Sequence, residues 1–270
     1  MTDEPAVAPL TSDAQLASLW RDVLAPSFPP EELMSLEDLR AGCRSGQQTA
    51  YGVQRDGRVT AGVVASWSPD TRVLLVDYLA IAPGGRGGGV GGRLLDRSVA
   101  AWRARLRPAV VLAEVEHPGH HAPHPQHGDP AARLRFYARH GARVLALPYF
   151  QPGMGGTGSP RVPAMLLVAL AVGDAPAEGT VPPPAPASLP ADPVRRFLVE
   201  HLVACEGALA DEPATRRLLD AAGGDRVPLV DPADADALAA VPVAVLDGPE
   251  RYAPPASTGP TGAAASTGSA

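Results

Sequence analysis

Leu79-Ala80-Ile81-Ala82-Pro83-Gly84-Gly85-Arg86-Gly87-Gly88-Gly89-Val90-Gly91-Gly92-Arg93-Leu94-Leu95 decides how this chain is read. Its first residues close a long apolar run, Thr71 to Ala82, with the length and composition of a central strand. Seven glycines follow between 84 and 92, and a helical spacing then runs from 90 to about 106. The first N–H groups of such a helix have no partner within it and point back at the loop. The helix dipole adds partial positive charge at the same place. Glycines let the backbone approach an anion without side-chain obstruction. Strand, loop and helix together therefore predict a cradle for a pyrophosphate, formed by the N–H groups of Gly87, Gly88, Gly89, Val90, Gly91 and Gly92, with Arg86 and Arg93 adding charge.

Spacing separates the candidate users of such a cradle. No Gly-Lys-Ser/Thr follows, and the chain has no lysine at all, so a nucleotide P-loop is excluded and so is Schiff-base chemistry. Gly87-x-Gly89-x-x-Gly92 matches a dinucleotide fingerprint by letter. The loop, however, comes after three strands, and the acids at 114 and 116 lie within a strand instead of at its end.

The stretch Leu79 to Leu95 closely resembles the GNAT acetyltransferase superfamily, whose hallmark Gln/Arg-x-x-Gly-x-Gly/Ala is met by Arg86, Gly89 and Gly91. A later stretch, Arg135-Phe136-Tyr137-Ala138-Arg139-His140-Gly141-Ala142, resembles the family's Phe-Tyr-x-x-x-Gly-Phe motif, with Ala142 in place of the final Phe. The resemblance spans roughly residues 10–171. It implies acetyl-coenzyme A as acyl donor and a mixed, mostly antiparallel sheet flanked by helices, with strands four and five splayed to admit the cofactor. It further implies backbone contacts from Leu79, Ala80 and Ile81 to the pantetheine arm, with the Leu79 N–H polarising the thioester carbonyl. Tyr137 falls where many members keep a tyrosine that protonates the leaving thiolate. The histone-acetylating branch has a glutamate base in strand four, where this chain has Leu75; Asp77 is two residues on, on the same face.

Amide formation needs a neutral amine and a protonated thiolate, hence a base and an acid. The base candidates are Asp77, Glu114 and Glu116, the last two on one face of the strand Ala109 to Glu116. Five of the seven histidines, His117, His120, His121, His124 and His127, share one Pro- and Gly-rich loop; the irregular spacing reads as a border of the acceptor site, and no metal is expected.

Outward from the loop, the element order is α-α-β-β-β-α-β-α-β-β, with room for one more short strand at the N-terminus. A helix is expected on the spacing of Leu16, Leu19, Trp20, Val23 and Leu24, ended by Pro26, and a second over 31–44, with strands at 49–55 and 58–67 joined by Asp56-Gly57, a helix from Asp129-Pro130 to His140, and strands near 142–149 and 162–171. This α/β reading assigns 1–171 to an acyltransferase domain and 172–193 to a Pro-rich linker. It assigns 194–250 to a small α/β appendage and 251–270 to a disordered tail. The appendage is expected to hold helices at 194–205 and 212–222 and strands at 227–230 and 241–246, docking on the main domain or on a second subunit, so a homodimer stays open. Cys205 is expected in the core of its helix and Cys43 as a half-buried thiol.

The net charge of −6 and the lack of an Arg cluster speak against nucleic acid. Two distant cysteines suit a reducing compartment, Met1 to Pro5 lacks the apolar run of a signal peptide, and the longest apolar stretch, Met165 to Val172, is too short for a bilayer; the reading expects a cytoplasmic chain without membrane contact. It expects an N-acetyltransferase acting on the amine of a small molecule by direct attack in a ternary complex. The rivals are a protein or peptide amine, a longer or carrier-bound acyl donor, and a non-catalytic acyl-coenzyme A-binding module.

Overall fold

Asp56 and Gly57 both adopt positive φ, 49° and 76°, which is the turn that matches the twist of two antiparallel strands. They join β2 (Gln48–Arg55) to β3 (Arg58–Ser68), and β3 returns through a second reversal into β4 (Val73–Ile81). The computed structural model describes residues 6–30, 32–85, 88–124, 128–153, 160–173 and 186–246. Among them are β1 (Val7–Pro9), β5 (Val110–Glu116), β6 (Arg143–Leu145), β7 (Met165–Val172), β8 (Ser188–Pro190) and β9 (Arg226–Val230). One sheet runs β1-β2-β3-β4-β5-β7-β6-β9-β8. Its pairs are antiparallel apart from β4 with β5.

The parallel pairing lasts only from Val73↔Val110 to Val76↔Ala113. Past it β4 stays with β3, β5 stays with β7, and the two diverge. The divergence begins at a bulge: Val64 faces Tyr78 and Ala65 faces Val76, which leaves Asp77 as the extra residue on β4. A bulge bends and twists its strand. The expected splay therefore has a local cause one residue after the last β4–β5 pair.

The helices are α1 (Asp13–Leu19), which widens into a π-helical turn over Trp20–Leu24, α2 (Leu36–Ser45), α3 (Val90–Leu106), α4 (Pro130–Arg139), α5 (Ala191–Glu206), α6 (Pro213–Ala221) and α7 (Ala235–Ala239). Strand alternation divides them between two faces. Leu74, Val76, Val111, Ala113 and Val115 join Leu94, Leu95 and Trp102 of α3 and Leu134 and Tyr137 of α4 in one apolar cluster. On the other face, Val64, Tyr78 and Ala80 pack against α1 and α2, while Val73, Leu75, Leu112 and Leu167 pack against Val194, Phe197, Leu198 and Leu202 of α5.

Several boundaries differ from those expected. Helix α2 starts at Leu36, because Ser35 caps it through its Oγ (3.1 Å from the Asp38 N–H) and the Tyr78 hydroxyl takes the Met34 N–H at 3.0 Å. The strand expected at 142–149 stops at Leu145; the chain then turns on Leu147 and Tyr149 through short backbone bonds. The strand expected at 241–246 does not form; Val241 and Ala244 are instead buried as irregular chain in the two clusters of the sheet. β8 lies within the stretch expected as linker, and the C-terminal segment docks on the sheet, extending it through β9. The stretch expected as a tail, 251–270, and positions 174–185 lie outside the described residues.

Candidate active site

Of the residues expected to form the cradle, Arg86 and Gly87 lie outside the described residues. Gly88 and Gly89 take φ of 62° and 70°, left-handed values that favour glycine. Gly89 caps α3 without a side-chain bond, and the first helical backbone bond is made by Arg93 N–H to the Gly89 carbonyl at 3.1 Å. The N–H groups of Val90, Gly91 and Gly92 thus open onto the loop. The Arg93 guanidinium reaches back to the Gly88 carbonyl at 2.6 Å. A Cβ added at Gly91 would stand 3.3 Å from the Ile81 side chain, and one at Gly92 would stand 2.7 Å from the His140 ring, so a larger residue at Gly92 would displace that ring.

The unpaired half of β4 adjoins the cradle. The Ala82 N–H donates to Thr60 at 2.9 Å, which makes 60 and 82 a hydrogen-bonded pair of the β3–β4 ladder. Bonded and non-bonded pairs alternate in such a ladder. Ala80, opposite Gly62, is therefore bonded to β3, and its side chain is buried against α1 and α2. Leu79 and Ile81 turn their N–H and C=O groups the other way, into the gap left by β5.

The acids separate on inspection. Asp77 is half-buried in the bulge, and its carboxylate accepts from the Ser66 hydroxyl at 2.8 Å. Burial, reinforced by the charge of Glu114 and partly offset by that Ser66 bond, pushes its pKa up to about 7. Glu114 accepts from the Tyr149 hydroxyl at 2.5 Å and from the Gln151 amide at 3.2 Å. Burial and the nearby Glu114 charge keep the Tyr149 phenol protonated far above its usual range. Glu116, one turn of the pleat further on, is engaged by Arg133 at 3.4 Å. Ser66, Tyr149 and Gln151 were not singled out in the sequence. Tyr149 ends a period-two series with Leu145 and Leu147, and that apolar-to-polar change was the available signal.

Tyr137 is buried on the α3–α4 face, the side of the sheet opposite Asp77 and Glu114, and burial pushes its phenol up to about 12. Of the histidine loop, His117 accepts the Gly119 N–H at 3.0 Å and His121 Nε2 lies 2.9 Å from the Pro163 carbonyl; His127 lies outside the described residues. Among the described residues no three His, Cys, Asp or Glu side chains are placed to hold a metal ion. No helix among them is long and apolar enough to cross a membrane. Cys43 is half-buried, and so is Cys205, which departs from the core position expected for it.

Residues 17–142 match the model of the acetyltransferase (GNAT) family. No curated protein matches the chain. Similar solved structures include a protein described as a GNAT-family acetyltransferase from Bacteroides thetaiotaomicron (26% identity, 64% of this chain and 90% of that one, TM-score 0.46). They also include the ribosomal-protein-S18-alanine N-acetyltransferase of Escherichia coli (14%, 66% and 100%, TM-score 0.44) and a variant of a Vibrio cholerae spermidine N-acetyltransferase (11%, 61% and 93%, TM-score 0.42).

Proposed function

We propose, from the match of residues 17–142 to the acetyltransferase (GNAT) family, that the protein moves an acetyl group from acetyl-coenzyme A to the amine of a small molecule by direct attack. The observation that carries this reading is Asp77. It sits at the bulge where β4 and β5 part, and its pKa of about 7 is matched to taking a proton from an ammonium near neutral pH.

The residues take the following roles. The N–H groups from Gly87 to Gly92, with Arg86 beside them, hold the pyrophosphate. Leu79 and Ile81 pair with the pantetheine arm along the free edge of β4, and the Leu79 N–H polarises the thioester carbonyl. Glu114, fixed by Tyr149 and Gln151, holds the acceptor ammonium. Asp77 takes one proton from that ammonium. The freed lone pair attacks the carbonyl carbon, forming C–N as the tetrahedral oxygen is held by the N–H. The C–S bond then breaks, the sulfur takes a proton from Tyr137, and the nitrogen releases its second proton, which restores the phenol through water. The products are the acetamide and free coenzyme A, with one net proton released. Glu116, engaged by Arg133, has no part in this scheme.

The test is calorimetric binding of acetyl-coenzyme A to wild type, Arg86→Glu and Gly89→Asp, followed by thiol release with an amine panel. Binding lost in both variants and a wild-type rate that depends on amine support the proposal. A folded wild type that does not bind acetyl-coenzyme A refutes it.

A further inference from the structure

Helix α5 lies beyond the residues that match the family, yet it covers the face of the sheet that carries Asp77 and Glu114. Its course follows from three contacts. Leu189, Pro193 and Val194 line one small cavity with Arg72, Ala109 and Val110, at the start of β4 and β5. Glu200 accepts from the Ser68 hydroxyl at 2.5 Å, beside the β3–β4 edge. Glu206, at the far end, accepts the Gly153 N–H at 3.2 Å, two residues from Gln151, which bonds Glu114. The helix therefore runs with β4 and β5, from their apolar beginnings toward their acids.

A stripe at spacing four faces that path. Phe197 lies in one cluster with Leu75, Leu112 and Tyr149. His201 is one turn on, stacked against Phe197 at 5.3 Å, and Cys205 one turn further, with its Sγ 3.8 Å from His201 Nδ1. Four helical residues advance about 6 Å and two strand residues about 6.6 Å, so the two series stay level. As Leu75 gives way to Asp77 and Leu112 to Glu114, Phe197 gives way to His201 and Cys205. The Glu114 charge is felt by both side chains, and that of Asp77 by Cys205.

His201 supplies an independent sign of a missing partner. Its Nε2 is buried and has no hydrogen bond among the described residues. Burial lowers its pKa, so the ring is neutral. A buried imidazole nitrogen left unsatisfied costs free energy that a bound polar group would recover. Arg161, which reaches the end of α5, is taken up by Glu206 at 2.6 Å and Glu212 at 2.8 Å and lies over the Phe150 ring.

Resting on the acetyltransferase reading, we infer that α5 is the outer wall of the acceptor site and that His201 Nε2 hydrogen-bonds the acceptor there. The site then takes compact cationic amines with an apolar body and no anionic group. Two carboxylates hold the ammonium, Phe197 and Tyr149 line the apolar part, and Arg161, the cation described at the end of α5, is already engaged by Glu206 and Glu212.

Phenethylamine and phenylalanine, which differ by one carboxylate, are the probes, used with the full chain and acetyl-coenzyme A. Wild type should acetylate phenethylamine and show at least about tenfold lower kcat/KM for phenylalanine. His201→Leu should raise the phenethylamine KM about tenfold while the acetyl-coenzyme A KM stays unchanged, and His201→Gln should restore part of the loss. Arg195→Ala, on the exposed side of α5, should behave as wild type. The inference is overturned if phenylalanine is the better substrate, or if His201→Leu and His201→Gln both leave the amine KM unchanged. Wild type that binds acetyl-coenzyme A but turns over neither amine overturns this inference alone; wild type that does not bind acetyl-coenzyme A removes the reading beneath it.

Discussion

Replacing Asp77 with Asn tests the proposed base through the pH dependence of kcat/KM, which reports groups on the free enzyme. With its pKa at about 7, Asp77 is the ionised, proton-accepting form in only a minority of molecules at acidic pH. Roughly one tenth is ionised one pH unit below that value and roughly nine tenths one unit above it. Wild-type kcat/KM should therefore climb about tenfold per unit in the acid range and level off above neutrality. A simple amine titrates near about 10, as lysine does, so a limb near neutrality belongs to the enzyme. Asp77→Asn keeps the shape and the Ser66 bond but cannot accept the proton. Its rate should fall by roughly 10² to 10⁴ and the acid limb should vanish. Glu114→Gln adds a directional check. Burial is the main cause of the raised value and the Glu114 charge adds to it, so removing that charge should move the surviving limb to lower pH. The assay is thiol release from acetyl-coenzyme A from pH 5 to 9 with saturating donor. A limb that stays in place in Asp77→Asn would refute the assignment, and one that moves to higher pH in Glu114→Gln would refute the electrostatic argument.

Other outcomes follow from single sites. Asp77 also makes stability depend on pH: unfolded it titrates at 3.8, folded at about 7, so the folded chain keeps the proton longer. Its contribution favours folding below the lower value and is lost as pH rises to the higher one, and Asp77→Asn should flatten that fall in urea midpoints taken from pH 4 to 8. Gly89→Ala forces a methyl group into a backbone of φ 70° with the Arg93 guanidinium 3.2 Å away. It should cost about 1–2 kcal/mol and weaken acetyl-coenzyme A binding in calorimetry. Tyr137→Phe removes the phenol without emptying its apolar site, so kcat should drop about tenfold or more with donor binding unchanged. Arg161→Leu strands Glu206 in a mostly buried position and should lower stability by about 2–3 kcal/mol, read as a fall in Tm.

The part of the fold legible in the sequence is the part set by local rules. The Asp56-Gly57 hairpin needs only two residues that tolerate positive φ. The α3 cap needs only glycines, and the Asp129-Pro130 start of α4 needs only a carboxylate that accepts the Ala131 N–H, here at 2.9 Å. Asp77 could be named as an acid on the right strand, but not as a bulge, because a bulge is a mismatch between two strands and is invisible in either alone. The same holds for Tyr149, which reaches Glu114 only because the chain leaves the sheet after Leu145. Helix α5 was legible as an amphipathic stripe; its destination was not, since the apolar face of a helix does not say which sheet face receives it. The partner that claims Glu116 is on α4, and nothing in the spacing of 116 and 133 announces it.

The two faces of the sheet offer one gap to both proposed proton transfers. Asp77 and Glu114 stand on the α5 side, and Tyr137 stands on the α3–α4 side. β4 and β5 part just past Val76 and Ala113, so the gap between them is the route from one side to the other. A thioester lying in that gap would show its carbonyl carbon to an amine on one side and its sulfur to a phenol on the other. Base and acid are then kept apart by the sheet itself and cannot neutralise one another directly. The bulge at Asp77 does two things at once: it opens the gap and seats the proposed base on the α5 side of the sheet. Deleting one residue from the bulge, for instance Val76, should restore regular β3–β4 pairing, with Tyr78 still opposite Val64 and Asp77 moved opposite Ala65, onto the α3–α4 face. Such a variant should lose acetyl transfer far more completely than Asp77→Asn, even where circular dichroism shows a native sheet. Equal losses in the two would mean that the bulge matters only as the seat of its carboxylate.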